Sequence, residues 1–244
     1  MKAFVVNSSP HMDKGNTGFF LAPFLEGMRE AAAEVETVYP RKMKIMPCEG
    51  CYDCWVKTPG VCRHKDDMPA VLKKLAQADI WVMATPVYVD GMTGTMKMFL
   101  DRIIPMAQPF FEMRDGHNRH PGREGAKRGG SIALVSTCGF WELDNFDPLV
   151  LHIKAWCKNA AKEFAGALLR PHAGSLQTIV NMGGAKDVMT AAREAGRQIA
   201  QSGRISPEAQ RAVSRELVPM QAYFDAANRG FKQSLEHNTG KQAA

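Results

Sequence analysis

Short apolar runs alternate along this chain with stretches of helical spacing, and that alternation leaves few folds open. Strands that are each followed by a helix pair in parallel, and a parallel sheet must be buried by helices on both faces. Ala3-Phe4-Val5-Val6 is the first strand, and Val35 to Tyr39 a weaker second. Asp79-Ile80-Trp81-Val82-Met83-Ala84, apolar on both faces, is a third, Ser131 to Ser136 a fourth, and Leu168-Leu169 belong to a fifth. Phe20, Leu21, Phe24, Leu25 and Met28, and then Met96, Phe99, Leu100, Ile103 and Ile104, recur at the spacing of helices that bury one face. Val188, Ala191, Ala192, Ala195 and Ile199 make a late helix, and Ser206-Pro207-Glu208 reads as a cap with proline at the first helical position. The expectation is one α/β domain over residues 1–205, then a helical extension over 206–244. The last dozen residues, polar and ending Gln242-Ala243-Ala244, are expected to fray.

With 45% hydrophobic residues in 244, the bulk of the chain can bury a core and is not intrinsically disordered. The charge-free run Ile80 to Val89 is about half of a membrane span, so no membrane association is expected. Only Ala3-Phe4-Val5-Val6 separate Lys2 from polar Asn7-Ser8-Ser9, too little for a signal peptide, which points to the cytoplasm. Six cysteines in a reducing compartment favour metal or redox chemistry over disulfides. Basic residues outnumber acidic ones by 31 to 25, yet there is no run of five like charges and no basic stripe interleaved with aromatics. Nucleic acid is therefore not an expected partner.

Three loops stand where a strand's carboxyl end meets a helix's amino end, the place where open α/β sheets bind ligands. The first, Asn7 to Thr17, is rich in hydroxyls and amides but has neither the Walker pattern nor the glycine fingerprint for a dinucleotide. It suits a terminal phosphomonoester such as that of FMN, held by free backbone N–H groups and the helix dipole. The bland alternative is that Asn16 or Thr17 merely caps the helix. The second, Ala84 to Gly94, sets Tyr88 and two glycines on a proline-stiffened loop that could cradle a flat ring; its alternative is a plain turn capped by Thr93. The third, Ser136 to Trp141, is either a further ring contact or two buried aromatics beside a glycine turn.

The most specific signal is Cys48-x2-Cys51-x2-Cys54-x7-Cys62, within a stretch (45–66) too long for a minimal loop. Four thiolates this close match the needs of a cubane iron–sulfur cluster, although the last gap is seven and Arg63, not proline, follows. A zinc site or free thiols are the alternatives. Cys138 and Cys157 read as buried small residues, His117 and His120 as part of a solvated basic loop, and Asp66-Asp67 as a helix start.

Taken together, Asn7-Ser8-Ser9-Pro10 with Gly15-Asn16-Thr17, Cys48-x-Gly50-Cys51-x2-Cys54 ending in Asp66-Asp67-Met68, and Thr85-Pro86-Val87-Tyr88 leading to Phe99-Leu100-Asp101-Arg102 resemble the flavodoxin-like NAD(P)H-dependent FMN reductases. Within them the chain is most similar to the iron–sulfur flavoproteins of anaerobic prokaryotes, over roughly residues 1–140. The resemblance implies a flavodoxin-like, doubly wound, five-stranded parallel sheet with helices on both faces, to which this chain adds extra C-terminal helices. It implies FMN with its phosphate on Ser9, His11, Asn16 and Thr17 and its ring along Pro86, Val87, Tyr88, Val89, Gly91, Cys138 and Gly139. It implies a [4Fe–4S] cluster on Cys48, Cys51, Cys54 and Cys62 near a subunit interface, its charge offset by Lys57, Arg63, His64 and Lys65. His11 stands where many relatives carry an arginine, and the stretch beyond about 180 has no assigned counterpart, its helices being expected to serve dimerisation. The function expected is an FMN-dependent oxidoreductase passing electrons between a two-electron and a one-electron partner, with the flavin and no side chain carrying the chemistry. The alternatives are a cluster-free NAD(P)H-dependent FMN or quinone reductase, and a zinc-stabilised non-catalytic interaction protein. The expected partners are NAD(P)H or a ferredoxin-type redox protein, and the expected assembly is a homodimer or homotetramer. Arg114, Arg119, Arg123, Lys127 and Arg128, against Asp115 and Glu124, are expected to form a basic flap near the flavin that favours NADPH or docks an acidic protein. A solvated loop or a subunit contact is the bland alternative there.

Overall fold

The computed structural model describes residues 1–125, 127 and 129–242, the last five by their backbone alone. In chain order it comprises β1 (Lys2–Asn7), α1 (Asn16–Glu30), β2 (Glu34–Val38), α2 (Asp53–Val56), α3 (Met68–Gln77), β3 (Ile80–Pro86), α4 (Gly94–Asp101), β4 (Glu112–Arg114) and β5 (His117–Arg119). There follow β6 (Ser131–Thr137), α5 (Asp147–Asn159), β7 (Glu163–Arg170), α6 (Leu176–Asn181), α7 (Lys186–Ser202), α8 (Pro207–Ser214) and α9 (Met220–Gln242). Five strands form one parallel sheet in the order β2-β1-β3-β6-β7, that of a flavodoxin-like doubly wound fold. A separate antiparallel hairpin joins β4 to β5.

Alternation along the strands divides the core. Val5, Val82, Ala84 and Val135 face α1 and α7, while Val6, Met83, Ile132 and Leu134 face α3, α4 and α5. Phe20, Phe24 and Met28 are fully buried, and each stabilises by roughly 1.5–3 kcal/mol through the apolar area it removes from water. α7, within the domain expected over residues 1–205, is part of this core. A Cβ on Gly27 of α1 would lie 1.8 Å from the Arg193 carbonyl oxygen of α7, and one on Gly196 would lie 2.0 Å from that of Phe24. Glycine at both points lets the two helices touch backbone to backbone, and Glu30 pairs with Arg193 and Arg197 alongside.

β7 grows from the expected Leu168-Leu169 to eight residues, because Ala165, Gly166 and Ala167 belong to it although they carry little apolar signal. Its outer edge is covered from the C-terminal side. Ile205 N–H donates to Ala165 O (2.8 Å), Ala167 N–H to Gln210 Oε1 (3.1 Å) and Ser214 Oγ to Leu169 O (2.9 Å), so the edge that would template aggregation is satisfied internally. Ser206 caps α8 as its position suggests, accepting from Ala209 N–H at 3.1 Å. The α4 stripe outruns its helix: Pro105 has no amide hydrogen for the Asp101 carbonyl, and residues 104–106 tighten into a 3₁₀ turn. The fraying expected of the tail is also corrected, since α9 runs through Gln242; residues 243 and 244 lie outside the described chain. Among the described residues, no helix is long and apolar enough to cross a membrane.

Candidate functional site

The loop after β1 is fixed by its neighbours. Ser8 N–H donates to Ala84 O (2.9 Å), Ser8 Oγ bonds Thr93 Oγ1 (2.8 Å), and Thr93 N–H donates to Thr85 Oγ1 (3.1 Å), tying the first loop to the second. Asn7 Oδ1 accepts from Ser9 N–H at 3.0 Å, while its buried Nδ2 has no partner. Gly15 is the cap residue of α1 and gives no side-chain bond, so the amides of the first turn keep no internal acceptor. Asn16 and Thr17 do not cap the helix: Asn16 Oδ1 accepts from Gln177 Nε2 (2.9 Å), and Thr17 Oγ1 bonds Thr137 Oγ1 (2.6 Å). A Cβ on Gly15 would come within 2.7 Å of Ser9 Oγ, so glycine is what keeps this loop open.

Ser9, Gly15, Asn16, Thr17 and Thr137 line a cavity of about 1600 Å³ beyond the carboxyl ends of the strands. It brings together Ser9, His11, Asn16, Thr17, Pro86, Val87, Tyr88, Val89, Cys138 and Gly139. Gly91 does not line it; instead Tyr88 and Gly91 exchange backbone hydrogen bonds (2.9 and 3.2 Å), closing a turn with Val89 and Asp90 at φ 47° and 60°. A β-branched residue at positive φ is strained, and Val89 is 99% exposed at the mouth. Among the described lining residues there is no lysine or arginine.

Nothing in the sequence hints that the C-terminal helices reach this cavity. Ser175, Thr178 and Ile179 line it, as do Tyr223 and Phe231 of α9, and Tyr223 O–H donates to Gly139 O at 2.6 Å. Burial pushes the Cys138 thiol up and keeps it protonated. Below the same loop, Arg170 is fully buried and donates to Val213 O (2.8 Å), Pro171 O (2.9 Å) and His172 Nε2 (2.9 Å). His172 Nε2 also accepts from Leu217 N–H (3.0 Å), which requires a bare nitrogen there. Burial, then Arg170, hold its pKa down at about 4.

The cysteine segment is closed at its base by two aspartates. Asp67 accepts from Lys44 N–H (2.7 Å) and precedes α3, as a helix start would. Asp66 acts differently. It binds both guanidinium nitrogens of Arg102 (2.6 and 3.1 Å) and accepts from Met46 and Met68 N–H (3.0 and 3.1 Å). Burial works to raise the Asp66 carboxyl, but the Arg102 bond and the two amides outweigh it and hold its pKa below the ordinary carboxylate value. Within the segment, Cys48, Cys51, Cys54 and Cys62 line one small cavity of about 20 Å³. Cys54 is buried, Cys62 half-buried, and Cys48 and Cys51 exposed. Burial, followed by Cys62, Cys48 and Cys51, raises the Cys54 thiol. Among the described residues no three potential ligands converge on a single ion. Three of the residues expected to offset a cluster pair with carboxylates of the segment itself: Lys57 with Asp53 (3.0 Å), and Arg63 and His64 with Glu49 (3.5 and 3.7 Å).

The basic loop is not a flap over the cavity at the strand ends, since none of its described residues lines that cavity. Its hairpin is tied to the far end of α5, where Arg114 donates to Lys158 O and Asn159 O (3.3 and 3.0 Å) and Arg119 bonds the Asn159 side chain. Cations there meet the negative end of the helix dipole. Arg123 donates to Pro105 O (2.8 Å) and Cys54 O (3.0 Å), linking the loop to the cysteine segment instead. His120 bonds Phe110 O (3.0 Å) and packs against Trp55. Arg128 lies outside the described residues.

The family profile described as NADPH-dependent FMN reductase matches residues 1–124, half of the chain. The chain belongs to the NADPH-dependent FMN reductase family. An iron–sulfur flavoprotein of Archaeoglobus fulgidus is 34% identical over 139 residues, 57% of this chain and 56% of that protein. Another, of Methanocaldococcus jannaschii, is 31% identical over 132 residues, 51% of this chain and 66% of that one. The chain thus spans about half to two thirds of the curated relatives it matches. The FMN-dependent NADH-azoreductase of Bacillus anthracis, solved with FMN, superposes with a TM-score of 0.60 over 82% of this chain and 100% of its own, at 15% identity. That likeness is one of fold, the flavodoxin-like fold of this reductase family. The profile takes in the first loop, the cysteine segment and the loop before α4, whereas α5 to α9 lie beyond it.

Proposed function

We propose that this FMN reductase family member is an FMN-dependent oxidoreductase with a [4Fe–4S] cluster on its cysteine segment. It passes electrons between a two-electron donor or acceptor, NAD(P)H among them, and a one-electron partner such as a ferredoxin-type protein. The observation that carries the flavin reading is the uncapped amino end of α1, opening beside Ser9 and Thr17 into a cavity at the strand ends. Ser9, His11, Asn16 and Thr17 would hold the phosphate, and Pro86 to Val89 with Cys138-Gly139 would flank the ring, Gly91 shaping the turn behind it. Without a lysine or arginine among the described lining residues, the phosphate charge is met by amides, hydroxyls and the helix dipole. Bound flavin would supply the exchange between two-electron and one-electron steps, and the protein would orient it, with Tyr223 and Phe140 in the cavity wall.

The donor set of four thiols around one cavity suits a cluster, in which each thiolate takes its own iron and no single-ion centre is needed. The exposure of Cys48 and Cys51 favours the second reading, a cluster-free NAD(P)H-dependent FMN or quinone reductase. A homodimer or homotetramer, and a division at about residue 205, complete the proposal. The flavin reading is tested by comparing FMN with riboflavin in fluorescence titrations of the flavin-free protein. FMN should bind at least ~100-fold more tightly, the worth of about two charge-assisted hydrogen bonds; equal affinities would contradict it.

A further inference from the structure

One of the two largest fully buried side chains, Arg102, stands in the wall of the cavity that the four cysteines line. It sits at the end of α4, a helix otherwise devoted to the core. Its guanidinium is held on one side by Asp66 (2.6 and 3.1 Å) and by Met46 O (2.5 Å), and both members of the pair are within 1% of complete burial. Of the two N–H donors left over, Nε–H is buried without a partner, and the guanidinium also bonds the Cys62 side chain. A desolvated N–H donor left over in the wall of a thiol-lined cavity lacks only an acceptor, and a thiolate or sulfide there would be a strong one.

We infer that Arg102 sets the reduction potential of the metal centre held by Cys48, Cys51, Cys54 and Cys62, with Asp66 as its counterweight. The inference rests on the reading of this segment as a cluster site. Reduction adds negative charge to a cluster, so a nearby fixed cation and an N–H donor toward its sulfurs favour the reduced state. Asp66 opposes the cation electrostatically and at the same time fixes the fork in the wall that Arg102 shares with the cysteines, Cys62 being its partner there. Arg102 is thus a positioning residue, acting through Cys62 and not on substrate.

The test uses the full chain, reconstituted anaerobically, as wild type, Asp66→Asn, Arg102→Lys and Arg102→Gln. Iron and sulfide per chain, FMN content, and the midpoint of the iron centre followed by absorbance and EPR are measured for each. Asp66→Asn should keep its iron and move the midpoint positive, whereas Arg102→Gln should move it negative. Arg102→Lys, which keeps the charge but loses the fork and the Nε donor, should fall between wild type and Arg102→Gln. A merely structural pair would lower iron content in all three without opposed shifts. Unmoved midpoints, or shifts of Asp66→Asn and Arg102→Gln in the same sense, would overturn the inference. If Arg102→Gln fails to fold, Asp66→Asn and Arg102→Lys decide. Wild type that binds no iron overturns the cluster reading itself, an outcome distinct from iron with an unmoved midpoint.

Discussion

The cavity at the strand ends and the cysteine segment solve opposite electrostatic problems with opposite materials. The first, on the proposed reading a phosphate site, has no lysine or arginine in its described lining; amides at the start of α1 and the hydroxyls of Ser9 and Thr17 would take their place. The second is arranged around thiols and is braced by guanidinium groups, Arg102 on Asp66 and Arg123 on the Cys54 carbonyl. The difference follows from what each must exclude. A phosphate reached from solvent needs shape and dipoles, which salt does not wash out once it is seated. A cysteine loop with little apolar filling needs long-range ties to hold its shape, and here they are a buried ion pair and a half-buried guanidinium on a carbonyl.

Breaking one of those ties should have the largest effect. Asp66→Ala leaves Arg102 charged and uncompensated in the interior, and should cost about 3–5 kcal/mol in urea unfolding; a loss under about 1 kcal/mol would mean that water reaches the pair. The next effect belongs to buried His172, next to residues 173–175 that line the strand-end cavity. Because burial holds His172 neutral, with a folded pKa of about 4 against 6.5 when unfolded, the unfolded chain takes up the proton first. The contribution is complete above the unfolded value and is lost as pH falls toward 4, to a total of about 3 kcal/mol. Subtracting the pH–stability curve of His172→Gln from that of wild type should isolate it, and parallel curves would refute it. Smaller still, Gly15→Ala puts a Cβ against Ser9 Oγ and should weaken FMN binding about tenfold, or ~1.4 kcal/mol, in a direct titration. Least of all, Arg119→Gln should leave flavin affinity and the ratio of NADPH to NADH rates unchanged within about 0.5 kcal/mol, since this arginine faces the end of α5. A marked loss of preference for NADPH would return the hairpin to the donor site.

What can be read from the sequence is local. Strands of continuous Val, Ile and Met, such as β3, announce themselves, and loops at strand ends follow from topology. β7 shows only as Leu168-Leu169 because glycine and alanine dilute its signal. The Asp66–Arg102 pair joins residues 36 apart, and neither residue type predicts burial, so only folding reveals it. The place of α9 as a cavity wall is likewise hidden, since Ala222, Ala226 and Ala227 line the cavity without forming a strong apolar stripe. The basic hairpin falls far from its expected place for a related reason: composition shows charge, not which carbonyls it satisfies.

On the proposed reading the two sites are independent, one for flavin and one for iron, and a single stoichiometry tests that most directly. FMN and iron per chain are measured after anaerobic purification of wild type and Cys51→Ser. Wild type should carry one FMN and four irons, and Cys51→Ser should keep the FMN while losing the iron. Iron unchanged in Cys51→Ser, or flavin lost together with iron, would contradict it.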